Sequence, residues 1–113
     1  MHATADGKVL LSTLSDEQIL EVLGQSPEKL TDSTHGIQSL LSEMVSIREN
    51  GFATDHQEHT VGISACSILI PTFMGPHAVA VVAPTSRFQM RAEEFRQALE
   101  ACRASISRLA GEY

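Results

Sequence analysis

The most ionisable stretch of the sequence is residues 55–59, which read DHQEH. It places two carboxylates and two imidazoles within five residues, directly before an apolar run that begins at Gly62. These side chains bind metal ions and act as general acids and bases. The stretch therefore raises two alternatives: a metal or catalytic site, or the charged entrance to a strand that lines a pocket.

A metal site is the weaker of these alternatives. His56 and His59 have the spacing H-x-x-H, and no third ligand is evident apart from a carboxylate. On a strand or a tight turn, side chains three residues apart do not converge as they do on a helix. We therefore expect both histidines on a solvated, charged loop, and the sequence predicts no metal ligand.

Other catalytic arrangements find no better support. Cys66 lies within an apolar run with no base beside it, a setting in which a thiol is normally inert. The stretch HATADGK has a single glycine before its lysine, too few for a phosphate-binding loop. The sequence predicts no catalytic residue, no cofactor and no enzymatic activity.

Composition and charge limit the class of partner. The 113 residues carry a net charge of −6, with the basic residues scattered and no Trp on which bases could stack. A nucleic-acid surface needs a patch of Lys and Arg. No apolar run has the length of a membrane span, and the start lacks a signal-peptide pattern. We expect one cytoplasmic globular domain with free thiols, which contacts neither nucleic acid nor a membrane.

Capping residues and apolar periodicity predict four helices. The first lies within residues 3–13 with Thr4 as its N-cap, and the second runs from a Ser15 cap to Gly24. The third ends at Gly51, and the last begins at Met90 and continues to the end of the chain. The predicted buried stripes of the third and last helices are Ile37, Leu40, Leu41, Met44 and Val45, and Phe95, Leu99, Cys102, Ile106 and Leu109.

Three strands are predicted, at residues 52–55, 62–70 and 78–83. The last two should form a hairpin with a connection longer than two residues, and their poor alternation favours coverage of both faces. The fold class is α/β in the α+β sense, an antiparallel sheet with helices packed on it. Three strands are few for so many helices, so we expect further strands, either from missing N-terminal sequence or from another chain.

Three segments carry a resemblance to a known family. The segments HATADGKVLL, MVSIRENGFATDHQEHTVGI and AVAVVAPTSRF, in this order and at these separations, resemble motifs of the C-terminal effector-binding domain of IclR-family bacterial transcriptional regulators. The resemblance covers essentially all of residues 1–113. It implies a GAF-like domain that binds a small-molecule effector, forms a homo-oligomer (dimer or tetramer), and regulates a winged helix-turn-helix that contacts DNA. That DNA-binding domain and the first strands of the effector domain are absent from this chain.

The resemblance also implies which residues face the effector. In the family, the acid after the Gly-Tyr-Ala turn reaches into the effector pocket, and Asp55 occupies that position. By the same alignment the effector-binding residues are Ala5, Asp6, Asp55, Ala65, Ala80 and Val82.

The sequence departs from the pattern of members that bind small carboxylates. Those members have Cys and two Ser where this chain has Ala65, Ala80 and Val82, and Cys66 is one residue out of register and should face the other way. Asp6 and Asp55, if about 5 Å apart, would repel each other by about 3 kcal/mol at an effective dielectric of 20. We therefore expect a neutral or cationic, partly apolar effector. The alternatives are a ligand-free oligomerisation module and, less favoured, a metal-binding protein.

Overall fold

The fold is described by a computed structural model that covers residues 1–110. In chain order its elements are α1 (Ala5–Leu11), α2 (Asp16–Leu23), α3 (Ile37–Asn50), β1 (Phe52–His56), β2 (Ile63–Thr72), β3 (Gly75–Pro84) and α4 (Thr85–Ala110). The strands form an antiparallel sheet in the order β1-β2-β3. The predicted α+β architecture, an antiparallel sheet with helices packed on it, is confirmed. None of the helices in this part of the chain is both long and apolar enough to cross a membrane.

Four predicted capping residues lie at helix ends: Thr4 and Ser15 begin α1 and α2, and Gly24 and Gly51 end α2 and α3. Thr4 Oγ1 accepts a hydrogen bond from Gly7 N at 3.0 Å at the start of α1. Ser15 and Gln18 form a reciprocal capping box at the start of α2, which satisfies two backbone donors at once. Gly51 ends α3 with φ of 64°, a left-handed conformation that a side chain disfavours.

Helices cover the sheet on both faces and form two apolar clusters. The cluster on the α1 and α3 face comprises Val9, Leu11, Ile19, Ile37, Leu40, Met44, Ile47 and Ala53. The cluster on the α4 face comprises Cys66, Ile68, Ile70, Ala83, Phe88 and Leu99. Because successive strand residues point to opposite faces, even-numbered residues of β2 pack on α4 and odd-numbered ones face α1.

The hairpin connection is shorter than predicted. Pairing of β2 with β3 continues to Thr72 opposite Gly75, so only two residues, Phe73 and Met74, form the turn. The Thr72 hydroxyl donates to Gly75 O at 3.0 Å and accepts from Met74 N at 3.1 Å. This side chain satisfies backbone groups in the turn, and Gly75, directly after the two turn residues, has a φ of 113°, which a glycine adopts without the strain that a side chain would cause.

Two other predictions about the helices are corrected. α4 begins at Thr85 rather than Met90, and a kink at Arg91 separates its first turns from the rest. Val45 and Leu109 are exposed, and Ile47 takes the place of Val45 in the buried stripe of α3. A three-stranded sheet is too small to cover every apolar position of two long helices. The predicted continuation of α4 through residues 111–113 lies outside the described residues.

The prediction that both strands of the hairpin are covered is correct only for β2. β3 is an edge strand of the sheet, and its Val82 side chain is 64% exposed. A side chain on a central strand is flanked by side chains of neighbouring strands on both sides. One on an edge strand is flanked on one side only, so more of its surface stays exposed.

We expect this chain to self-associate through the unpaired edge of β3. β3 has a proline near each end, Pro76 and Pro84, but residues 77–83 between them contain no Lys, Asp, Glu or Pro, the residues that commonly prevent edge strands from pairing with another chain. Light scattering across a concentration series measures the mass. His77→Lys places a charge at an exposed position of this strand and should shift the population towards monomer. A stable monomer at high concentration would contradict the expectation.

Candidate functional site

A cavity of about 250 Å³ lies between the start of α1 and the face of the sheet that α1 covers. Its lining includes all the residues predicted to face an effector, namely Ala5, Asp6, Asp55, Ala65, Ala80 and Val82. The structure adds Thr4, His59, Thr60 and Ile63. The candidate site therefore combines one helix, all three strands and the connection between the first two strands.

Strand register explains why residues distant in sequence meet at this cavity. Ala65 on β2 is paired with Asp55 on β1 and with Val82 on β3, so these residues form a row across the sheet. Ala80 lies two residues before Val82 and therefore faces the same side. The sheet contributes a wall of small apolar side chains with one carboxylate at its β1 end.

Cys66 lies on the opposite face, as its register predicts. It is fully buried in the cluster beneath α4. Burial raises the pKa of the Cys66 thiol, while a backbone hydrogen bond at Val81 and the charge of Arg96 act in the opposite direction. The thiol is therefore a packing group rather than part of the cavity.

Asp55 is the most enclosed charged group of the cavity lining, with 5% of its surface exposed. Its Oδ1 accepts a hydrogen bond from Glu58 N at 2.7 Å. Within residues 1–110 the ion pairs do not include Asp55. Asp6 supplies a second, exposed carboxylate from α1, and none of the lining residues in the described chain is Lys or Arg. The cavity is therefore negatively polarised.

The DHQEH stretch separates into exposed and buried parts. His56 and His59 are exposed, as predicted, although His56 also contacts the Phe88 ring edge-on and His59 reaches the cavity. Glu58 is only 2% exposed, which corrects the prediction of a uniformly solvated loop. A buried carboxylate needs a compensating partner, and this partner is a lysine.

Lys8 is fully buried, and its ammonium group is the centre of a polar network. Its Nζ lies 2.7 Å from Glu58 Oε1 and 3.0 Å from Glu43 Oε2, and it donates to Thr54 O at 2.9 Å. The contact with Glu58 is an ion pair without hydrogen-bond geometry. One side chain of α1 thus joins α3, β1 and the connection after β1.

His35, Glu43 and Glu58 form a group with the composition of a metal site, since their ligand atoms lie within 4.8 Å of one another. His35 Nδ1 contacts Glu43 Oε1 and lies 3.7 Å from Glu58 Oε1. The Lys8 ammonium is already in contact with both carboxylates. A cation there would have to displace a buried positive charge, so the geometry favours a structural network over a metal centre.

The connection between β1 and β2 (residues 57–62, hereafter the β1–β2 loop) is held from a second side by two threonines. Thr31 Oγ1 donates to Gln57 O at 2.6 Å, and Thr34 Oγ1 donates to Glu58 O. Within the loop, Gly62 N donates to Gln57 Oε1 at 2.9 Å. Gln57 has a φ of 60°, a conformation that these contacts maintain. The loop is therefore fixed in place where it carries His59 and Thr60 past the cavity.

Sequence reasoning missed the network around Lys8. One signal was present: Lys8 follows Ala5 by three residues and therefore lies on the apolar face of its helix. A lysine at such a position requires a buried acid. Which acid it meets depends on tertiary contacts with residues 35 or more positions away, Glu43 and Glu58.

Comparison with known proteins identifies similar chains. The model of the family described as bacterial transcriptional regulator IclR C-terminal matches residues 1–108. The HTH-type transcriptional regulator TtgV of Pseudomonas putida is 35% identical over 109 residues, which are 96% of this chain and 42% of TtgV. The HTH-type transcriptional repressor AllR of Escherichia coli is 30% identical over 95 residues, which are 77% of this chain and 34% of AllR.

Solved structures show the same fold. The C-terminal domain of the E. coli regulator KdgR superposes with a TM-score of 0.81 at 26% identity, over 97% of this chain and 70% of that one. The inducer-binding domain of PobR from Acinetobacter, a double mutant solved as a 3-hydroxy benzoic acid complex, superposes with a TM-score of 0.82 at 24% identity, over 93% and 65%. The chain thus spans less than half the length of TtgV and AllR but most of the solved KdgR domain.

Substitutions within DHQEH should show that its buried acid contributes more to the free energy of unfolding than its exposed histidines. Glu58→Ala removes one of two carboxylates from a buried ammonium and should lower the free energy of unfolding by about 3 kcal/mol. His56→Ala/His59→Ala alters exposed side chains and should lower it by no more than about 1 kcal/mol. Urea unfolding followed by circular dichroism measures both values. Equal losses in the two variants, or stoichiometric zinc that the double variant lacks, would contradict this assignment.

The two cysteines should differ in reactivity. At pH 8 a thiol reagent should label the partly buried Cys102 in the folded chain, whereas Cys66 should react only on unfolding, because it is enclosed and its raised pKa reduces the thiolate fraction. Absorbance kinetics with and without denaturant count the reactive thiols. Cys102→Ser is the control, and rapid labelling of that folded variant would show that Cys66 is accessible.

Proposed function

This chain belongs to the IclR family of bacterial transcriptional regulators, and on that premise we propose that its cavity binds a small-molecule effector. The observation that carries the proposal is the convergence of the family's effector-facing positions, Ala5, Asp6, Asp55, Ala65, Ala80 and Val82, on one cavity. The family consists of regulators, so we propose ligand binding without catalysis. The effector would regulate DNA binding by the helix-turn-helix domain of the regulator.

The size of the cavity favours a small effector. Its volume of about 250 Å³ is below the range of about 300–1,000 Å³ typical of pockets for drug-sized ligands. A protein cavity of about 150 Å³ suffices for benzene. A single ring with one small substituent therefore fits this space, and Ile63, Ala65 and Val82 supply an apolar wall for it.

The charge of the lining favours a neutral or cationic effector over an anion. A ligand carboxylate about 4 Å from Asp55 would be repelled by about 4 kcal/mol at an effective dielectric of 20. The side chains of Ala65, Ala80 and Val82 offer no donor to offset this repulsion. Thr4 and Thr60 contribute hydroxyl groups to the lining, and Asp55 can accept a hydrogen bond from a polar substituent of the ligand.

The PobR inducer-binding domain supports the aromatic part of the proposal by analogy of fold. That domain is solved with 3-hydroxy benzoic acid, a single-ring aromatic compound. Benzoic acids are anionic at neutral pH, whereas the lining described above disfavours an anion. We therefore propose for this chain a ligand of similar size that is neutral or cationic.

Binding would act by shifting the population of arrangements of the regulator. A ligand stabilises one arrangement over another only to the extent that it binds that arrangement more tightly. Because Asp55 and Val82 lie on the two edge strands, a ligand between them would connect both edges of the sheet. Movement of either edge relative to α1 would then change the affinity for the ligand.

The uncovered edge of β3 favours a second candidate function, a ligand-free module that holds the regulator in a dimer or tetramer. The small apolar residues of the lining would then be ordinary packing positions. The two functions differ in their response to small molecules. A ligand that binds only the folded state raises the melting temperature, whereas an oligomerisation module shows no such shift.

A charge series of nearly identical shape tests the proposed effector class. Benzoate, benzamide and benzamidine carry charges of −1, 0 and +1 on the same ring. We expect calorimetry to rank benzamidine and benzamide above benzoate, because Asp55 repels an anion. Asp55→Asn removes that repulsion with little change of shape. The difference in affinity between benzoate and the other two compounds should therefore become smaller, or the order should reverse.

Two results would contradict the proposal. Tightest binding of benzoate, pyruvate or glyoxylate, undiminished in Asp55→Ala, would show that the cavity charge does not select the ligand. Val61→Ala is the matched control, because Val61 is exposed on the β1–β2 loop and is not a lining residue. Equal losses in Val61→Ala and Asp55→Asn would place the binding site elsewhere.

A further inference from the structure

We infer that Lys8 and Glu58 are positioning residues of the cavity: their buried ion pair holds the β1–β2 loop against α1 and so sets the width of the cavity between them. The predicted effect of this ion pair on ligand affinity rests on the proposed function. The geometric basis of the inference is independent of any ligand. Neither residue lines the cavity, and both would act through the residues that do.

The ion pair joins two segments that line the cavity. Thr4, Ala5 and Asp6 form one wall at the start of α1, and Lys8 lies on the same helix two residues beyond Asp6. His59 and Thr60 form the other wall, and Glu58 directly precedes them. The distance of 2.7 Å between Lys8 Nζ and Glu58 Oε1 therefore fixes the separation of the two walls.

Glu58 transmits this constraint to the loop backbone and to Asp55. Its Oε2 accepts from His56 N at 3.3 Å, and its own N–H donates to Asp55 Oδ1 at 2.7 Å. The carboxylate that would meet the ligand is therefore oriented by the backbone of the residue that Lys8 holds. A change in the position of Glu58 would move Asp55, His59 and Thr60 together.

Glu43 provides a comparison within the same network. It lies 3.0 Å from the same ammonium, but it belongs to α3 and makes no contact with the β1–β2 loop backbone among the described hydrogen bonds. Glu43→Gln and Glu58→Gln each remove one negative charge, retain the side-chain shape and leave Lys8 with one carboxylate. A role limited to charge compensation predicts the same effect for both variants. A positioning role predicts different effects.

Hydrogen–deuterium exchange, measured by NMR on the ligand-free protein, distinguishes these possibilities. The amides of Gln57, Glu58, Gly62 and Ile63 are hydrogen-bonded at or within the loop and report on its opening. In Glu58→Gln we expect exchange at these amides to accelerate at least about tenfold more than exchange at amides of the β2–β3 ladder, which report the general loss of stability. In Glu43→Gln we expect loop exchange within about threefold of the parent.

Three outcomes would overturn the inference. The first is an equal rise in the two variants, and the second is no rise in Glu58→Gln. The third is a rise in Glu58→Gln that is as large in the ladder as in the loop, which would indicate general destabilisation alone. If Glu58→Gln does not fold, Glu58→Asp takes its place, because it keeps the charge and shortens the reach to Lys8 by one methylene group. Unchanged loop exchange in Glu58→Asp then counts against positioning.

The consequence for binding is measured with whichever of benzamide, benzamidine and benzoate binds the parent protein. Glu58→Gln should weaken this binding at least about tenfold, and Glu43→Gln should leave it within about threefold. Equal affinities in the two variants would show that the loop position does not matter to the ligand. If none of the three probes binds the parent, the proposed effector class fails, while amide exchange still decides the role of Lys8 and Glu58.

Discussion

The burial of a single ammonium group constrains much of this fold. Lys8 has no exposed surface, so its charge must be compensated by groups of the protein itself. Glu43, Glu58 and the carbonyl of Thr54 provide this compensation from α3, the β1–β2 loop and β1. Apolar packing tolerates small displacements of one surface over another, whereas moving the ammonium away from its carboxylates would leave buried charges unpaired. The network therefore specifies how α1 is seated on the sheet.

The cavity exists because of this arrangement. α1 covers the sheet at one end, and its first residues lie above the row formed by Asp55, Ala65 and Val82. Two alanines, Ala65 and Ala80, leave space that larger side chains would fill. The β1–β2 loop encloses that space because Glu58 is buried against Lys8 of α1 instead of facing solvent. Packing and electrostatics thus act together, since the sheet supplies the floor and the ion pair holds the wall.

The acids of the DHQEH stretch have two different tasks, although they are three residues apart. Asp55 lies at the end of a strand and faces the cavity without an ionic partner among the described residues, while Glu58 faces inward and is paired with Lys8. The strand ends at His56, and the positive φ of Gln57 turns the chain there. Because of this turn, the two acids face different environments. A free carboxylate suits ligand recognition, and a compensated one suits structure.

The sequence by itself determined the local features of this protein: the helix caps, the strand positions within a few residues, the register of Cys66 away from the cavity and, through its motifs, the family. These depend on residues close together in the chain. It could not determine the two-residue hairpin turn, the exposure of Val45 and Leu109, or the partner of Lys8. These depend on where separate elements meet, because a charge is buried or solvated according to what packs over it. Only the tertiary structure brings Glu43 and Glu58 to one ammonium, and so only it distinguishes the structural acid of the loop from the one that faces the cavity.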